Sequence, residues 1–318
     1  MYTSELFHQT LAKIRPYIMK TPLVYSSWLS ETISASVYLK LECLQEGRSF
    51  KIRGATNALL TEENYSSVIA ASGGNHGLAL AISAKKLGKP CKIVVPTSTS
   101  EYRIKLIKKA GAEVIVRGEA FDEADKFAQD LARKESGVYI HPFANPNVLI
   151  GQGTVGVEIM EDIKPDILIA SVGGGGLLGG ICRSIQAISG TSPPEIYGVE
   201  TVGADSMYQS LGAGKIVKLD KISSIAKTLG AKETARINFE AIQGCVKEIL
   251  LVSDQEAVLA MQQFLDNEKI LVEPAASCIV AALEKYKEKF AGKTIVLVIC
   301  GSNVTLEEFQ QWVENYLS

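Results

Sequence analysis

The sequence has no long apolar run and no strong excess of charge of either sign. Its 33 basic and 35 acidic residues give a net charge of -2, so it lacks the dense basic surface that nucleic-acid-binding proteins use. No stretch approaches the roughly 18 consecutive apolar residues of a membrane-spanning helix. Residues 1–15 have neither the apolar core nor the cleavage site of a signal peptide. We therefore expect a cytoplasmic protein without a nucleic-acid or membrane partner.

The cysteine and histidine patterns of many metal and hydrolase sites are also missing. The six cysteines are scattered and include no C-x-x-C pair, which fits a reducing compartment in which most thiols are structural. The three histidines, His8, His76 and His141, do not accompany a G-x-S-x-G motif. A serine hydrolase triad is therefore not supported.

The chain does contain helical and strand patterns that alternate along nearly its whole length. Hydrophobic residues make up 47% and charged residues 21% of the sequence, as in compact globular proteins. The alternation is typical of α/β proteins with mostly parallel sheets. Between residues 68 and 141, short apolar strands and helices follow each other in repeated units, with strands predicted at residues 68–71, 91–95 and 113–116. Two prolines and two asparagines interrupt regular structure in His141–Asn147, and we predict a linker there.

We predict two open, twisted-sheet α/β domains from these patterns. Residues 67–144 form a small α/β domain that is inserted into a larger one, and the larger domain consists of residues 1–66 and 145–318. The strongly apolar and β-branched segment Thr294–Cys300 is expected to be a central strand of the larger domain.

Lys51 stands out because it lies between a predicted strand and a predicted helix. The apolar run at residues 37–42 predicts the strand and residues 52–60 predict the helix, so Lys51 is expected at the cleft where α/β sheets bind ligands. A single lysine is usually a surface charge. A lysine amine can, however, condense with an aldehyde if desolvation or a nearby cation keeps it partly neutral. Arg53 is the candidate for that cation.

A run of four glycines, Gly173–Gly176, joins a predicted apolar strand to a predicted apolar helix. Glycines let backbone N–H groups approach an anion at a helix N-terminus, where the helix dipole is positive. This context favours a phosphate site over a flexible linker. An alternative is the dinucleotide fingerprint, formed by Gly174, Gly176 and Gly179 with the acidic Glu200 after them. That alternative predicts an NAD-dependent oxidoreductase.

Two further segments place polar or reactive groups where a predicted strand ends. The amides and the hydroxyl of Ser72–Gly77 can hold a carboxylate, and Asn75 can donate to a phenolic or ribose oxygen. The alternative for this segment is an ordinary N-cap turn. Cys300 lies at the C-terminal end of the predicted central strand, at the edge where α/β proteins bind ligands, although a lone cysteine is more often a small buried hydrophobe.

Together, these segments resemble the pyridoxal-phosphate enzymes of the tryptophan synthase β-like fold, specifically the serine/threonine dehydratase and serine racemase family. The resemblance covers nearly the whole chain and its motifs occur in the same order. The segments that carry it are Thr21–Leu23, Ser49–Ala55, Ser72–Gly77, Gly173–Gly176, Glu273–Ala276 and Cys300–Asn303.

The resemblance implies a role for each group around the cofactor. Lys51 would carry pyridoxal phosphate as a Schiff base, and Phe50 would pack beside the pyridine ring. Asn75 would form a hydrogen bond with the ring hydroxyl, and Cys300 would face the ring nitrogen. The phosphate would be held by Gly173, Gly174, Gly175 and Gly176.

The resemblance also implies how a substrate is bound and converted. The substrate-binding residues would be Ser72, Gly73, Gly74, Asn75 and His76. Lys51, acting as a general base on the α-proton, and Ser72 would be the catalytic residues. A neutral thiol at Cys300 would not hold the ring nitrogen protonated, which favours elimination over transamination.

Two positions depart from the family pattern. Racemases of this family have a second serine where this chain has Gly73, and a glycine cannot exchange a proton, so efficient racemisation is not expected. The family's divalent-cation site resembles Glu200 and Ala204 followed by an acid two positions later, where this chain has Ser206. Asp205 is adjacent, and the metal site stays open, with Mg²⁺ or Ca²⁺ as the candidates for oxygen ligands.

The leading hypothesis is a pyridoxal-phosphate-dependent ammonia-lyase that converts a small β-hydroxy amino acid, L-threonine or L-serine, to a 2-oxo acid and ammonia. A 3-hydroxyaspartate ammonia-lyase and a serine racemase are alternatives with the same cofactor. The NAD-dependent oxidoreductase is an alternative from a different class, and a cofactor-binding protein without turnover is a third. The resemblance further suggests a homodimer.

Overall fold

A computed structural model describes residues 2–317 as a mixed α/β protein, which confirms the predicted fold class. The helices in this part of the chain are α1 (Ser4–Ile14), α2 (Ser27–Ile33), α3 (Lys51–Thr61), α4 (Asn75–Lys86), α5 (Glu101–Lys109), α6 (Phe121–Glu135), α7 (Pro146–Asp162), α8 (Gly176–Ile188), α9 (Ser206–Ala213), α10 (Arg236–Gln243), α11 (Asp254–Glu268), α12 (Pro274–Lys285) and α13 (Leu306–Leu317). The strands are β1 (Leu23–Tyr25), β2 (Ser36–Lys40), β3 (Val68–Ala71), β4 (Cys91–Val95), β5 (Glu113–Val116), β6 (Val138–Tyr139), β7 (Ile167–Ser171), β8 (Glu195–Thr201), β9 (Val246–Val252) and β10 (Thr294–Val298). Among residues 2–317, no helix has both the length and the apolar composition needed to cross a membrane.

The strands form two sheets. The larger sheet has the order β1-β2-β10-β7-β8-β9 and the smaller one has the order β5-β4-β3-β6. Strand β1 pairs antiparallel with β2, and every other strand pair is parallel. Strand β10 lies between β2 and β7, and its residues 295–298 are fully buried. The prediction of a central strand here is confirmed, as expected for a β-branched apolar run in a parallel sheet.

The smaller sheet takes all its strands from residues 68–139. Strands β3, β4 and β5 have the predicted bounds, because each is a short apolar run closed by a turn. The predicted linker His141–Asn147 is only partly correct, since α7 already begins at Pro146. Asn145 caps this helix by accepting hydrogen bonds from the next two free N–H groups, and proline suits the first helical position. The division of the chain into two domains stays a prediction.

A network of fully buried charges fixes the position of α3. Arg53 donates to both carboxylate oxygens of Glu42 at 2.7 Å and to Glu158 of α7 at 2.7 Å. Lys40, at the end of β2, donates to the same oxygen of Glu158 at 2.8 Å. Burial tends to raise the pKa of Glu158, but the charges of Arg53 and Lys40 hold it below its ordinary value. The network therefore joins α3, the helix that begins with Lys51, to β2 and α7.

Candidate active site

A cavity of about 850 Å³ brings together most of the residues that the sequence motifs indicated. Its lining includes residues at or within two positions of the C-terminal ends of β3, β7 and β10, where α/β proteins bind ligands. The predicted site residues that line the cavity are Phe50, Lys51, Ser72, Gly73, Gly74, Asn75, His76, Gly174, Gly175, Gly176 and Cys300.

Lys51 is the first residue of α3 and is half-buried in this cavity. Its Nζ donates to the carbonyl oxygen of Pro142 at 3.1 Å and lies 5.1 Å from the centre of the Phe50 ring. Burial lowers the pKa of Lys51 to about 8, although nearby Cys300 and Glu273 act in the opposite direction. About a tenth of the amine is therefore neutral at pH 7, far more than for a lysine with its ordinary pKa, and the neutral amine is the form that captures an aldehyde.

The expectation that Arg53 supplies a cation next to Lys51 is wrong. The Arg53 guanidinium is bound to Glu42 and Glu158, so two carboxylates balance its charge. The lowered pKa of Lys51 arises from burial instead. Residues two positions apart on a helix do not face each other, which explains why closeness in sequence was misleading here.

The glycine run turns the chain sharply between β7 and α8. Gly173 and Gly175 have φ angles of 56° and 84°, in the left-handed region that favours glycine. A Cβ atom on Gly173 would lie 2.9 Å from the Cα of Leu229, so this glycine is packed against the neighbouring loop and does not itself line the cavity. The turn places the N-terminus of α8 at the cavity, where its first N–H groups are available to an anion.

Asn75 is held by polar contacts that the sequence did not predict. Its Nδ2 donates to Glu273 at 2.9 Å, and its Oδ1 accepts from the side chain of Asn303 at 2.7 Å. Glu273 also accepts from the Thr228 hydroxyl at 3.1 Å and from the Asn303 N–H at 3.2 Å. Burial raises the pKa of Glu273. Glu273 and Asn303 belong to motifs noted in the sequence, but no local pattern indicated that they meet Asn75.

Cys300 lies in the cavity as a neutral thiol. Its side chain is almost fully buried, donates to the carbonyl oxygen of Ala275 at 3.5 Å and accepts from the Ser171 hydroxyl at 3.4 Å. Burial strongly raises the pKa of the thiol, and the nearby Glu273 adds to this effect. Both the hydrogen bonds and the raised pKa therefore keep the proton on sulfur.

His76 is a neutral side chain with one free acceptor. Its Nε2 lies 3.0 Å from the carbonyl oxygen of Ile140, and because a carbonyl only accepts, Nε2 carries the hydrogen. Burial lowers the pKa of His76 to about 3. The other ring nitrogen, Nδ1, is buried and has no partner among residues 2–317.

Glu200 and Ala204 lie apart from the cavity lining. The fully buried carboxyl of Glu200 accepts hydrogen bonds from the N–H groups of Met207 at 3.4 Å and Tyr208 at 2.8 Å, and burial raises its pKa to about 8. It is therefore not free to bind a ribose hydroxyl, as the dinucleotide alternative requires. Within residues 2–317, no group of three or more His, Cys, Asp and Glu side chains is arranged to hold a metal ion.

Comparison with known families decides which cofactor this cavity serves. A family model described as "Pyridoxal-phosphate dependent enzyme" matches residues 14–301. The chain belongs to this family. This pyridoxal-phosphate-dependent enzyme is 38% identical over 309 residues to the L-serine dehydratase/L-threonine deaminase of Bos taurus. The alignment covers 92% of this chain and 94% of that protein. The enzyme is 36% identical over 312 residues to the biosynthetic L-threonine dehydratase of Bacillus subtilis (strain 168), with 96% of this chain and 74% of that protein covered.

A solved structure supports the same assignment. The processed form of threonine deaminase isoform 2 from Solanum lycopersicum superimposes on this pyridoxal-phosphate-dependent enzyme with a TM-score of 0.92 and 29% sequence identity. The alignment covers 98% of this chain and 87% of that chain. The predicted family, fold and pyridoxal-phosphate cofactor are thus confirmed.

The cavity residues fit pyridoxal phosphate at opposite ends of the cofactor. Lys51 offers an amine with a lowered pKa for the aldehyde. The start of α8, reached through glycines that leave no side chain in the way, offers backbone N–H groups for the phosphate.

Proposed function

We propose that the protein is an ammonia-lyase that converts a small β-hydroxy amino acid, L-threonine or L-serine first, to a 2-oxo acid and ammonia. The observation that carries this proposal is one cavity that holds the Lys51 amine, the glycine-rich start of α8 and the neutral Cys300 thiol. When bound, pyridoxal phosphate supplies an electron sink for the charge that develops at the substrate's α-carbon. The names of the bovine and Bacillus relatives describe dehydration or deamination of serine and threonine.

Five groups are inferred to hold the cofactor. Lys51 binds the aldehyde covalently, and Phe50, which lines the cavity beside it, packs along the ring. Asn75 is directed to the ring hydroxyl and Cys300 to the ring nitrogen. Gly174, Gly175 and Gly176, the glycines of the run that line the cavity, hold the phosphate, and Gly173 shapes the turn that precedes them. The hydrogen bonds from Asn75 to Glu273 and from Asn303 to Asn75 support the role of Asn75, because they fix its amide before a ligand arrives.

The loop from Ser72 to His76 is inferred to bind the substrate. Ser72 Oγ accepts a hydrogen bond from the N–H of Gly74 at 3.3 Å, which leaves its O–H free to donate to the substrate. The loop leads into α4, and a helix N-terminus favours a carboxylate. Once released from the cofactor, the Lys51 amine takes the α-proton as general base, and its lowered pKa suits that task.

A lyase is favoured over a racemase by the surroundings of Gly73. A racemase of this type needs a second acid or base on the opposite face of the substrate, and glycine has none. A Cβ atom at Gly73 would lie 2.6 Å from the Thr99 hydroxyl oxygen. A side chain at this position would therefore displace Thr99, so the loop is built around a glycine.

We further propose that residues 67–144 form a small domain within a larger one made from residues 1–66 and 145–318. The smaller sheet, whose strands all come from residues 68–139, supports this division. A cytoplasmic homodimer is inferred from the scattered free cysteines and the family resemblance. Light scattering measures the mass of the purified protein in solution. For a homodimer we expect twice the mass of one chain.

Release of 2-oxo acid from a panel of L-threonine, L-serine, D-serine and 3-hydroxyaspartate tests the proposed reaction. We expect release from at least one L-β-hydroxy amino acid and none after Lys51→Ala. Lys287→Ala, which changes an exposed lysine at the surface, is the matched control and is expected to keep full activity. A cofactor-loaded protein that releases no 2-oxo acid from any member of the panel would contradict the proposal.

A further inference from the structure

Arg103 is a cation at the edge of the candidate active site whose side chain has no partner among residues 2–317. It lies in the first turn of α5 and is half-buried. Its backbone N–H donates to the capping hydroxyl of Ser100 at 3.4 Å, but its guanidinium forms no hydrogen bond or ion pair with any of residues 2–317. The positive charge and the N–H donors of this guanidinium are therefore available to a ligand.

The guanidinium lies beside the proposed substrate loop. Arg103 lines the cavity together with Ser72, Gly74 and Asn75. Its Nη1 is 3.5 Å from the point where a Cβ atom on Gly74 would be. Arg103 also lines a small adjoining pocket with Gly74 and Asn75, so the loop and the arginine form one continuous surface.

Glu273, an acid of the cavity lining on which the charge of Arg103 acts, already has its own hydrogen-bond partners. Burial raises the pKa of Glu273, and Arg103 is the strongest of the influences that lower it, so the two charges act on each other across the cavity. They are not in contact, because Glu273 accepts its hydrogen bonds from Asn75, Thr228 and Asn303. Arg103 is thus not needed to complete the environment of Glu273.

Two separate groups for binding carboxylates therefore lie next to each other. The loop at the start of α4 suits the α-carboxylate that every amino-acid substrate carries. The planar fork of the guanidinium suits a second carboxylate, which it can bind through two parallel hydrogen bonds. Carboxylates on neighbouring carbons of one molecule lie only a few ångströms apart, which matches the close approach of Arg103 to Gly74.

We propose that Arg103 binds a side-chain carboxylate of the substrate, so that the site prefers a β-hydroxy amino acid with two carboxylates over L-serine and L-threonine. This inference rests on the proposed ammonia-lyase function, and it changes the order of the substrates by placing the dicarboxylate ahead of L-serine and L-threonine. For 3-hydroxyaspartate, the C–O bond to the hydroxyl and the α-C–H bond break, and the water that leaves is returned when the nitrogen is released by hydrolysis. The net products are 2-oxosuccinate and ammonia.

Steady-state kinetics with 3-hydroxyaspartate and L-serine test the proposal. In the wild type we expect the higher kcat/KM for 3-hydroxyaspartate. Arg103→Met should lower the ratio of the two kcat/KM values about 100-fold, because a desolvated charge pair is lost for one substrate only. Arg103→Lys should restore part of the ratio, since it keeps the charge but loses the fork.

Lys227→Met is the matched control for the charge of the cavity as a whole. Lys227 lines the same cavity and is exposed to solvent, so its removal should leave the ratio nearly unchanged. An equal fall of kcat/KM for both substrates in Arg103→Met, or an equal change of the ratio in Lys227→Met, would overturn the proposal. The first result would mean that Arg103 binds a group that all substrates share. The second would mean that the positive charge of the cavity as a whole, and not contact with Arg103, sets the preference.

A binding measurement separates this proposal from the proposed reaction. Calorimetry of the cofactor-loaded protein with L-malate and L-lactate compares a dicarboxylate with a monocarboxylate, and neither has an amine that can react. We expect L-malate to bind more tightly in the wild type and the difference to disappear in Arg103→Met. If the wild type binds both equally, the Arg103 proposal fails even when 2-oxo acid is released. If malate binding depends on Arg103 but no substrate turns over, only the ammonia-lyase function fails.

Discussion

Arg53 donates two hydrogen bonds of 2.7 Å to the two carboxylate oxygens of Glu42, and both side chains are fully buried. Arg53 lies in the first turn of α3, two positions after Lys51, yet it does not act on the lysine amine. A third contact, from Arg53 to Glu158, joins the pair to α7. The position of Lys51 in the cavity therefore depends on a buried network that lies outside the cavity lining.

The network makes Glu158 important for stability. Glu158→Gln leaves the buried cations Arg53 and Lys40 short of one negative charge, so we expect the free energy of unfolding to fall by about 3–5 kcal/mol. Glu161→Gln removes an exposed carboxylate from the same helix and should change the free energy of unfolding by about 0.5 kcal/mol or less. Denaturant unfolding measures both values. Equal stability of the two variants would show that the buried charges are not coupled as described.

The neutral His76 makes stability fall in mild acid. Its pKa is lowered to about 3 by burial, so between this value and about 6.5 the unfolded chain binds a proton that the folded chain does not. Unfolding is therefore favoured as pH falls. At about pH 5 this histidine alone lowers the free energy of unfolding by about 2 kcal/mol relative to neutral pH. His76→Gln should remove that part of the pH dependence, and His8→Gln, at an exposed position, should not. Identical pH profiles for the wild type and His76→Gln would contradict the prediction.

Lys51 should capture the cofactor with a characteristic pH dependence. Only the neutral amine reacts, so the rate at which apoprotein takes up pyridoxal phosphate should rise about tenfold per pH unit below about pH 8 and level off above it. The plateau reflects the pKa of about 8 that burial gives Lys51. Stopped-flow absorbance measures the rate. A rate that keeps rising to about pH 10 would indicate a lysine with its ordinary pKa.

The cavity should tolerate a neutral group but not an acid at Cys300. Cys300→Ser keeps a small donor next to Ala275 and Ser171, and we expect kcat/KM for 2-oxo acid release to stay within about tenfold of the wild type. Cys300→Asp adds a buried acid close to Glu273, and we expect a loss of about 100-fold or more. Melting temperatures of both variants control for misfolding. Wild-type activity of Cys300→Asp would argue against a requirement for a neutral group.

Much of the fold was predictable because short-range patterns determine it. Strands β3, β4 and β5 are apolar runs bounded by turns, and β10 is a β-branched run that packs in the middle of the larger sheet. The start of α7 was missed because a proline and two asparagines suit a helix N-terminus as well as a loop. The order of the strands was not predicted, since β10 pairs with β2 across most of the chain.

The site was predictable as a set of motifs and not as a set of contacts. Lys51, the Ser72–His76 loop and Cys300 were placed at strand or helix ends, and the cavity brings them together. The contact of Asn75 with Glu273, 198 positions away, has no local signal. Arg103 was not noted because an arginine in an amphipathic helix has the sequence pattern of an ordinary surface charge.

The most direct test of the role of Lys51 is to reduce the cofactor-loaded protein with sodium borohydride and to locate the label by peptide mass spectrometry. We expect the reduced cofactor on the peptide that contains Lys51, and no label after Lys51→Ala. A label on a different lysine, or release of 2-oxo acid by a protein in which Lys51 is never labelled, would contradict the assignment of Lys51 as the covalent anchor.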